Sequence, residues 1–381
     1  MGKSKNLEDV GETLPHETVA HTTTTTTNAT SAAAEDGEEG GTLIGSIIKN
    51  IKVGGDLTSI NIAGSLVLPK SSVCYFSENS SPFFNILIKC NDIEDDYQRM
   101  LEVFKYLMTT RWLPKELTKK PLNPVLGETF EANVKYSDSD AEITAFAEQI
   151  SHHPPCTSSE IYCRKAGIKV NYFTPVKVNF MGTYIKLTLD GAVQIHFEKF
   201  GETFSCTSPP VAIRLFRGFS EYAGESVLTS SKSKYRIKAT YYPKPLLVGH
   251  YNCLEATVYN GEEKIQRIKG QWDEELKIAP YKDKKAEYKT FYNKKEYTPG
   301  EVVQVSADKQ LPTNSNVVWG ALFDAIKTGQ PGKAINKEKT KVEEEQRRKA
   351  AERKEKNEQW KPAHFTQDRD GFWSLNPELH K

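Results

Sequence analysis

From Glu128 to about Tyr242 the chain alternates apolar and polar residues with a period of two, and no helical pattern interrupts it. Phe130, Ala132, Val134 and Tyr136 alternate with polar neighbours. Ile143, Ala145 and Ala147 follow, then Ile168, Val170 and Tyr172, then Ile185, Leu187 and Leu189, then Val193, Ile195 and Phe197. Successive side chains of a strand point to opposite faces, so each run has one apolar side. The intervening SDSDA, KAG and LDGA are turn-like. Many strands joined by short turns form an antiparallel meander, and so long a sheet curls toward closure to hide its edges. A large, half-open or closed barrel is the expected result. YRIKATYY, NCLEATVY and KIQRIKGQW carry the pattern on to Trp272.

The two ends read differently. Residues 1–40 contain HTTTTTTNATSAAA and EDGEEGG, with too few apolar side chains to offset the entropy of ordering, so a disordered tail is expected there. TLIGSIIKNIKV then places Leu43, Ile44, Ile47, Ile48 and Ile51 on one helical stripe that stops at Gly54-Gly55. Such a stripe fits either an ordinary helix docked on a core or a movable flap that touches membrane. A second helix is expected across IEDDYQRMLEVFKYLMTTRW, where Tyr97, Leu101, Phe104 and Met108 recur at helical spacing after an acidic first turn. Beyond Pro312, VVWGALFDAIKTG reads as a short helix. AINKEKTKVEEEQRRKAAERKEKNEQW reads as a long charged one, suited to a solvated face laced with ion pairs.

Composition removes several functions. Lys+Arg 51 against Asp+Glu 50 leaves a net charge of +1, so no global field recruits nucleic acid. Cys74, Cys90, Cys156, Cys163, Cys206 and Cys253 show no CxxC spacing, which points to reduced thiols and away from a zinc site. No run approaches the roughly 20 apolar residues of a spanning helix, and the first residues lack the apolar region of a signal peptide; a cytosolic protein is expected. There is no HExxH and no glycine-rich phosphate loop. The nearest approach to a nucleophile elbow, Gly218 to Tyr222, has Tyr222 where the turn needs glycine, so no enzymatic activity is expected.

What remains is a set of cations and imidazoles in stiff places. EQISHHPP at 148–155 sets His152 and His153 against two prolines. Alone, the pair reads equally as a strand-end turn; as metal ligands they fit badly, since neighbours on an extended chain face opposite ways. KKPLNPVLGE at 119–128 holds paired lysines beside two more prolines. Lys339, Glu343 and Arg347 fall at i, i+4 and i+8 and share one helix face, with Glu343 placed to orient both cations. Several N–H donors of this kind suit a phosphate monoester.

Together these three segments closely resemble the oxysterol-binding protein family, in particular the lipid-binding domain of its short members. EQISHHPP matches the family fingerprint with Ile150 in place of the usual valine. The resemblance runs from about Leu43 to the tryptophan-bearing tail. It implies a mainly β fold with α: a large incomplete antiparallel β-barrel around an apolar tunnel, with an N-terminal lid over the mouth and helices in the C-terminal region. The implied domains are the tail at 1–40, the lid at 41–62 and the lipid-binding domain at 63–381. The implied activity is extraction of a lipid, sterol before phosphatidylserine, and of phosphatidylinositol 4-phosphate into one tunnel, with exchange between membranes. A lipid-dependent regulator of membrane signalling is the alternative. Carried over residue by residue, the phosphoinositide headgroup would meet Lys120, Asn123, His152, His153, Lys339, Glu343 and Arg347. Leu43, Ile44, Ile47, Ile48 and Ile51 would form the lid. The expected protein is a monomer without cofactor or metal, meeting organelle membranes transiently from the cytosol. Physically, pulling a lipid into water exposes about 0.8 kcal/mol per methylene, and an apolar tunnel offsets that cost.

Overall fold

The structure, a computed structural model, describes residues 66–114, 117–369 and 371–378. The tail at 1–40 and the lid stripe from Leu43 to Ile51 lie outside the described residues. The chain enters through a short strand, β1 (Val67–Ser71), and three helices, α1 (Ser72–Ser80), α2 (Asn85–Cys90) and α3 (Asp96–Thr109). Strand β2 (Lys120–Leu122) then returns to pair in parallel with β1.

The alternating region forms the meander its period demands. In chain order it runs β3 (Thr129–Tyr136), β4 (Ser139–His152), β5 (Pro155–Cys163), β6 (Ile168–Phe180), β7 (Tyr184–Leu189), β8 (Ala192–Phe197) and β9 (Glu202–Thr207). It continues through β10 (Val211–Arg214), β11 (Phe219–Tyr222), β12 (Gly224–Ser230), β13 (Tyr235–Tyr242), β14 (Cys253–Asn260), β15 (Glu263–Gln271), β16 (Glu275–Pro280), β17 (Lys289–Asn293) and β18 (Glu301–Gln304). All sixteen belong to one sheet. The main path has β17 at one edge and β18 at the other, and these two do not pair, so the barrel is incomplete.

The meander forks once. The first half of β6 pairs with β8, while its second half, Val176–Phe180, pairs with β7 and leads to β10 and β11. Gly191 sits at the fork, where an added Cβ would lie 1.6 Å from the Phe173 carbonyl oxygen, so only glycine fits. The branch has its own small core of Ile185 and Leu215, packed with Val178, Phe180, Leu187 and Ile213.

Helix α3 departs from the four-residue stripe read in the sequence. Arg99, Met100, Leu101, Val103, Phe104, Tyr106, Leu107, Met108 and Thr109 are all buried. The helix shares one hydrophobic core with residues of strands from β3 to β17, so the sheet wraps most of it and leaves the strip of Gln98, Glu102 and Lys105 in partial contact with water. At about 1.5–3 kcal/mol for each fully buried Leu, Met or Phe, this helix is a principal reason the open sheet holds its curvature.

After β18 the chain forms α4 (Ser315–Val318), α5 (Gly320–Lys327) and the 24-residue α6 (Gly332–Glu355), then a hairpin of β19 (Phe365–Gln367) and β20 (Trp373–Leu375). Trp319, Leu322, Phe323 and Ile335 pack against Val67 and Leu122, which seats this helical end on the β1–β2 pair. The six cysteines are unpaired thiols. Among the described residues no helix is long and apolar enough to cross a membrane, and no cluster of metal-ligating side chains occurs.

Candidate functional site

The segments 119–128 and 148–155 are joined by main-chain hydrogen bonds. Gly127 N donates to Gln149 O at 2.9 Å and Gln149 N to Glu128 O at 2.8 Å. The two proline-flanked motifs, twenty residues apart in sequence, are thereby neighbours in one ladder. Gln149 also braces the turn ahead of it: its Nε2 donates to Ser151 O at 2.7 Å, and its Oε1 accepts from Thr157 Oγ1 at 2.6 Å. His153-Pro154, with a cis peptide bond, makes the turn between β4 and β5, where His152 lies opposite Pro155. His152 is half-buried and His153 is exposed, their ring centroids 5.8 Å apart. Burial, then the neighbouring His153 and the Arg353 guanidinium, lower the His152 pKa from its ordinary value.

At the other end of the ladder, Lys120 Nζ donates to Asn123 Oδ1 at 3.0 Å. The α6 lysine Lys339 is buried, and its ammonium lies 2.7 Å from Glu343 Oε1. Lys339 and Glu343 both act on Lys120. Burial first, then the Lys339 charge, push the Lys120 ammonium down to about 8, against the pull of Glu343. Lys120 as a whole is half-buried, and its hydrogen bond to Asn123 lies at the surface of the cluster. Lys120, Asn123, Lys339 and Glu343 thus form one cluster. Arg347, one turn beyond Glu343, is exposed.

Helix α6 spans both clusters. Arg353 lies fourteen residues past Lys339, which is about 21 Å along the axis and almost four whole turns, so both face the same side. Arg353 stacks on Trp360, with its guanidinium 5.5 Å from the ring centroid. Trp360 in turn lies over Gly127, where an added Cβ would come within 2.6 Å of the indole. Gly127 also has φ +80°, so the position excludes a side chain on two grounds. Arg347 occupies the stretch of helix between the two clusters.

Two buried carboxylates pin this arrangement, and their partners were not legible in the sequence. Glu128 accepts from Val125 N at 2.9 Å, Ser315 Oγ at 2.6 Å and Trp319 Nε1 at 2.8 Å, tying the KKPLNPVLGE segment to α4 and the start of α5. Glu148 accepts from Ala363 N at 2.8 Å and His364 N at 2.9 Å, tying EQISHHPP to the chain after α6. Burial raises both carboxyl groups above the usual range while these donors hold them down. Arg353 and Trp360 are likewise not legible in the sequence, because the residues they meet in the motif ladder, His152 and Gly127, lie more than two hundred positions away.

Chemically, the strip offers ammonium groups, imidazoles and an amide on stiff backbone. It can hold a polyanionic headgroup by charge-assisted hydrogen bonds.

Comparison with known proteins agrees with this architecture. The family model for oxysterol-binding protein matches residues 46–328. Oxysterol-binding protein 1 of Dictyostelium discoideum is 45% identical over 337 residues, covering 87% of this chain and 85% of that protein. The ORD domain of Osh1, solved in complex with ergosterol, has a TM-score of 0.71 at 19% identity, covering 90% of this chain and 88% of that one. The ORD of Osh3 from Saccharomyces cerevisiae, solved in complex with PI(4)P, has a TM-score of 0.65 at 21% identity, covering 89% and 91%. With its open sixteen-stranded sheet, and with a match that runs through both the sheet and the motif ladder, this chain belongs to the oxysterol-binding protein family.

Proposed function

We propose that this protein is a lipid carrier that takes phosphatidylinositol 4-phosphate and a sterol, one at a time, into the interior of its sheet and exchanges them between membranes. The observation that carries the reading is the cluster of Lys120, Asn123, Lys339 and Glu343, joined through the Glu128–Gln149 ladder to the His152-His153 turn. In this reading the lysines supply point charges, Asn123 and the imidazoles supply donors, Glu343 orients Lys339, and Arg347 closes on the phosphate as a fork. Structures similar in fold hold ergosterol, cholesterol and PI(4)P, which supports both cargoes. Two lipids that share one interior exclude each other, so a gradient of one drives the other without any covalent step.

Extraction from liposomes tests this. Purified protein is expected to take up phosphatidylinositol 4-phosphate and cholesterol, each displacing the other. The phosphoinositide arm carries a pH signature from Lys120, which must be charged to bind. Its uptake should weaken as pH rises through about 8, by up to about tenfold per unit, while cholesterol uptake stays level. Unliganded stability should move the opposite way: the unfolded lysine keeps its proton to its ordinary value of 10.5, so stability rises between pH 8 and 10.5. Two non-competing cargoes, or a flat phosphoinositide profile, would sink the exchange reading.

The carrier works from the cytosol by touching membranes, and a loop tip offers the contact. In the β13–β14 loop, Leu246, Leu247 and Val248 are 81%, 88% and 88% exposed. The β10–β11 turn, which carries the exposed Phe216, is joined to the two ends of this loop: Arg217 Nη1 donates to Lys244 O at 3.3 Å and Phe219 packs on Tyr251 at 5.2 Å. An apolar tip with Arg217 and Lys244 at its base suits the interface of an anionic bilayer. The pair Leu246→Asp and Leu247→Asp should reduce sedimentation with phosphatidylserine-containing vesicles at least about tenfold. Unchanged sedimentation would remove this loop from the contact.

A further inference from the structure

Helix α3 and the turn after it carry two buried arginines with opposite surroundings. Arg99 is 2% exposed and fully partnered: its guanidinium meets the buried Glu202 at 2.7 Å, Asp96 at 2.7 Å and the carbonyl oxygen of Ile93 at 2.6 Å. Arg111, two residues past the end of the helix, is 7% exposed and has no carboxylate partner among the described residues. Its Nη2 lies 3.9 Å from Cys206 Sγ, its guanidinium stands 5.7 Å and 6.0 Å from the ring centroids of Tyr222 and Tyr241, and its Nε has no acceptor. A buried cation without a counter-charge is among the most unfavourable features a core can hold.

Helix capping does not explain it. The last carbonyl oxygens of α3 are already taken: Tyr106 O accepts from Thr109 Oγ1 and Thr110 N, Leu107 O from Thr110 Oγ1, and Met108 O from Arg111 N. Nor do the facing groups supply charge. Burial pushes the Tyr241 phenol up to about 12 and raises the Tyr222 phenol and the Cys206 thiol, so all three are neutral near pH 7. Glu221, adjacent to Tyr222 on β11, is committed elsewhere, to Arg214 Nε and Lys244 N, both at 2.6 Å. The surroundings are rich in hydroxyl groups: Tyr106 and Tyr172 pair through theirs at 3.2 Å, Tyr222 and Tyr241 meet the guanidinium through neutral hydrogen bonds, and among the described residues the one acceptor within reach of the Tyr241 O–H proton is the weak Met108 Sδ at 4.0 Å. Cys206, Tyr222 and Tyr241 belong to the same core as the buried residues of α3, so the guanidinium sits among interior side chains of the sheet.

We infer that Arg111 is the seat of a lipid that carries a small oxyanion, a carboxylate or sulfate, and enters the interior head first. The oxyanion supplies what the site lacks: a counter-charge for the guanidinium, an acceptor for Nε–H and a stronger acceptor for the Tyr241 hydroxyl. An uncharged sterol hydroxyl satisfies the hydrogen bonds and leaves the charge unpaired. The inference rests on the carrier reading above and adds a cargo class to it.

The test compares lipids that differ only in the anion. Liposomes carry either cholesterol or cholesterol sulfate, and in a second arm either oleyl alcohol or oleate, and extraction is measured for the native protein and for Arg111→Met. Native protein should prefer each anionic partner about tenfold or more, the worth of one charge-assisted hydrogen bond. Arg111→Met should bring both ratios to near one and should melt no lower than the native protein, since it removes an unpaired buried charge. Equal uptake of the paired lipids by the native protein overturns the inference, whatever the variant does. So does a preference that survives in Arg111→Met. Stabilisation by inorganic sulfate that Arg111→Met abolishes, without any preference between the paired lipids, would assign the site to a free ion and overturn the lipid assignment. Extraction of no lipid at all by native protein would instead fail the carrier reading and this inference with it.

Discussion

Replacing His152 and His153 together with alanine is expected to lower phosphatidylinositol 4-phosphate extraction by about a hundredfold or more while the protein melts within a few degrees of the native one. Hydrogen bonds to a charged acceptor are worth about 1.5–3 kcal/mol each, and two of them exceed the 2.7 kcal/mol or so that corresponds to a hundredfold. The fold should hardly notice. His153 is exposed, His152 is half-buried, and the turn keeps its prolines and the Gln149 brace on Ser151 and Thr157. A structural role predicts a different pattern: melting temperature, sterol uptake and phosphoinositide uptake would all fall together. Extraction of cholesterol by the double variant, measured beside thermal unfolding, decides between them.

The largest loss of stability should come from Glu128→Ala. The carboxylate is fully buried and takes three donors, Val125 N, Ser315 Oγ and Trp319 Nε1. Alanine leaves Val125 N and the Trp319 indole N–H without an acceptor, at about 1–3 kcal/mol for each buried orphan, and leaves Ser315 Oγ with its contacts to Ser71 Oγ and Thr129 O, while relief of the buried carboxylate returns part of that cost. A net loss of about 3 kcal/mol or more is expected, read as a fall in the urea midpoint with little change in slope. The effect has a functional shadow. Glu128 is the pin between the segment that carries Lys120 and Asn123 and the helices that lead to Lys339, so the variant should bind phosphoinositide more weakly even when folded. Glu128→Gln, which keeps the size and one acceptor, should lose less on both measures. If Glu128→Ala unfolded at the native midpoint, the network would be a bystander.

The parts of this protein that the sequence announces are those written in local patterns. Period-two alternation required a meander because one face of each strand must be buried, and strands β3 to β9 follow it closely. The long charged helix and the short helix before it also appear where their composition puts them, because i,i+4 pairs such as Lys339–Glu343 act within one turn. The three cation-bearing segments stood out for the same local reason: proline stiffness and helix spacing are properties of neighbours in the chain. The fork at Gly191 and the engulfed surface of α3 were not visible, since both depend on what lies across the sheet.

The site divides in the same way. Lys120, His152, His153, Lys339 and Glu343 could be singled out from residue types and spacing, but nothing local says that α6 lies against the motif ladder. That depends on Glu128 reaching Trp319, on Glu148 reaching Ala363, and on Trp360 resting over Gly127, contacts between residues some two hundred positions apart. Arg111 is the clearest case. In the sequence it is one cation after a helix, and only the tertiary structure takes it out of water and surrounds it with neutral phenols and a thiol. Sequence determined which strands and helices form, because periodicity and capping act over a few residues. Packing alone decided which side chains share a low-dielectric interior, because burial and counter-charge belong to the whole fold.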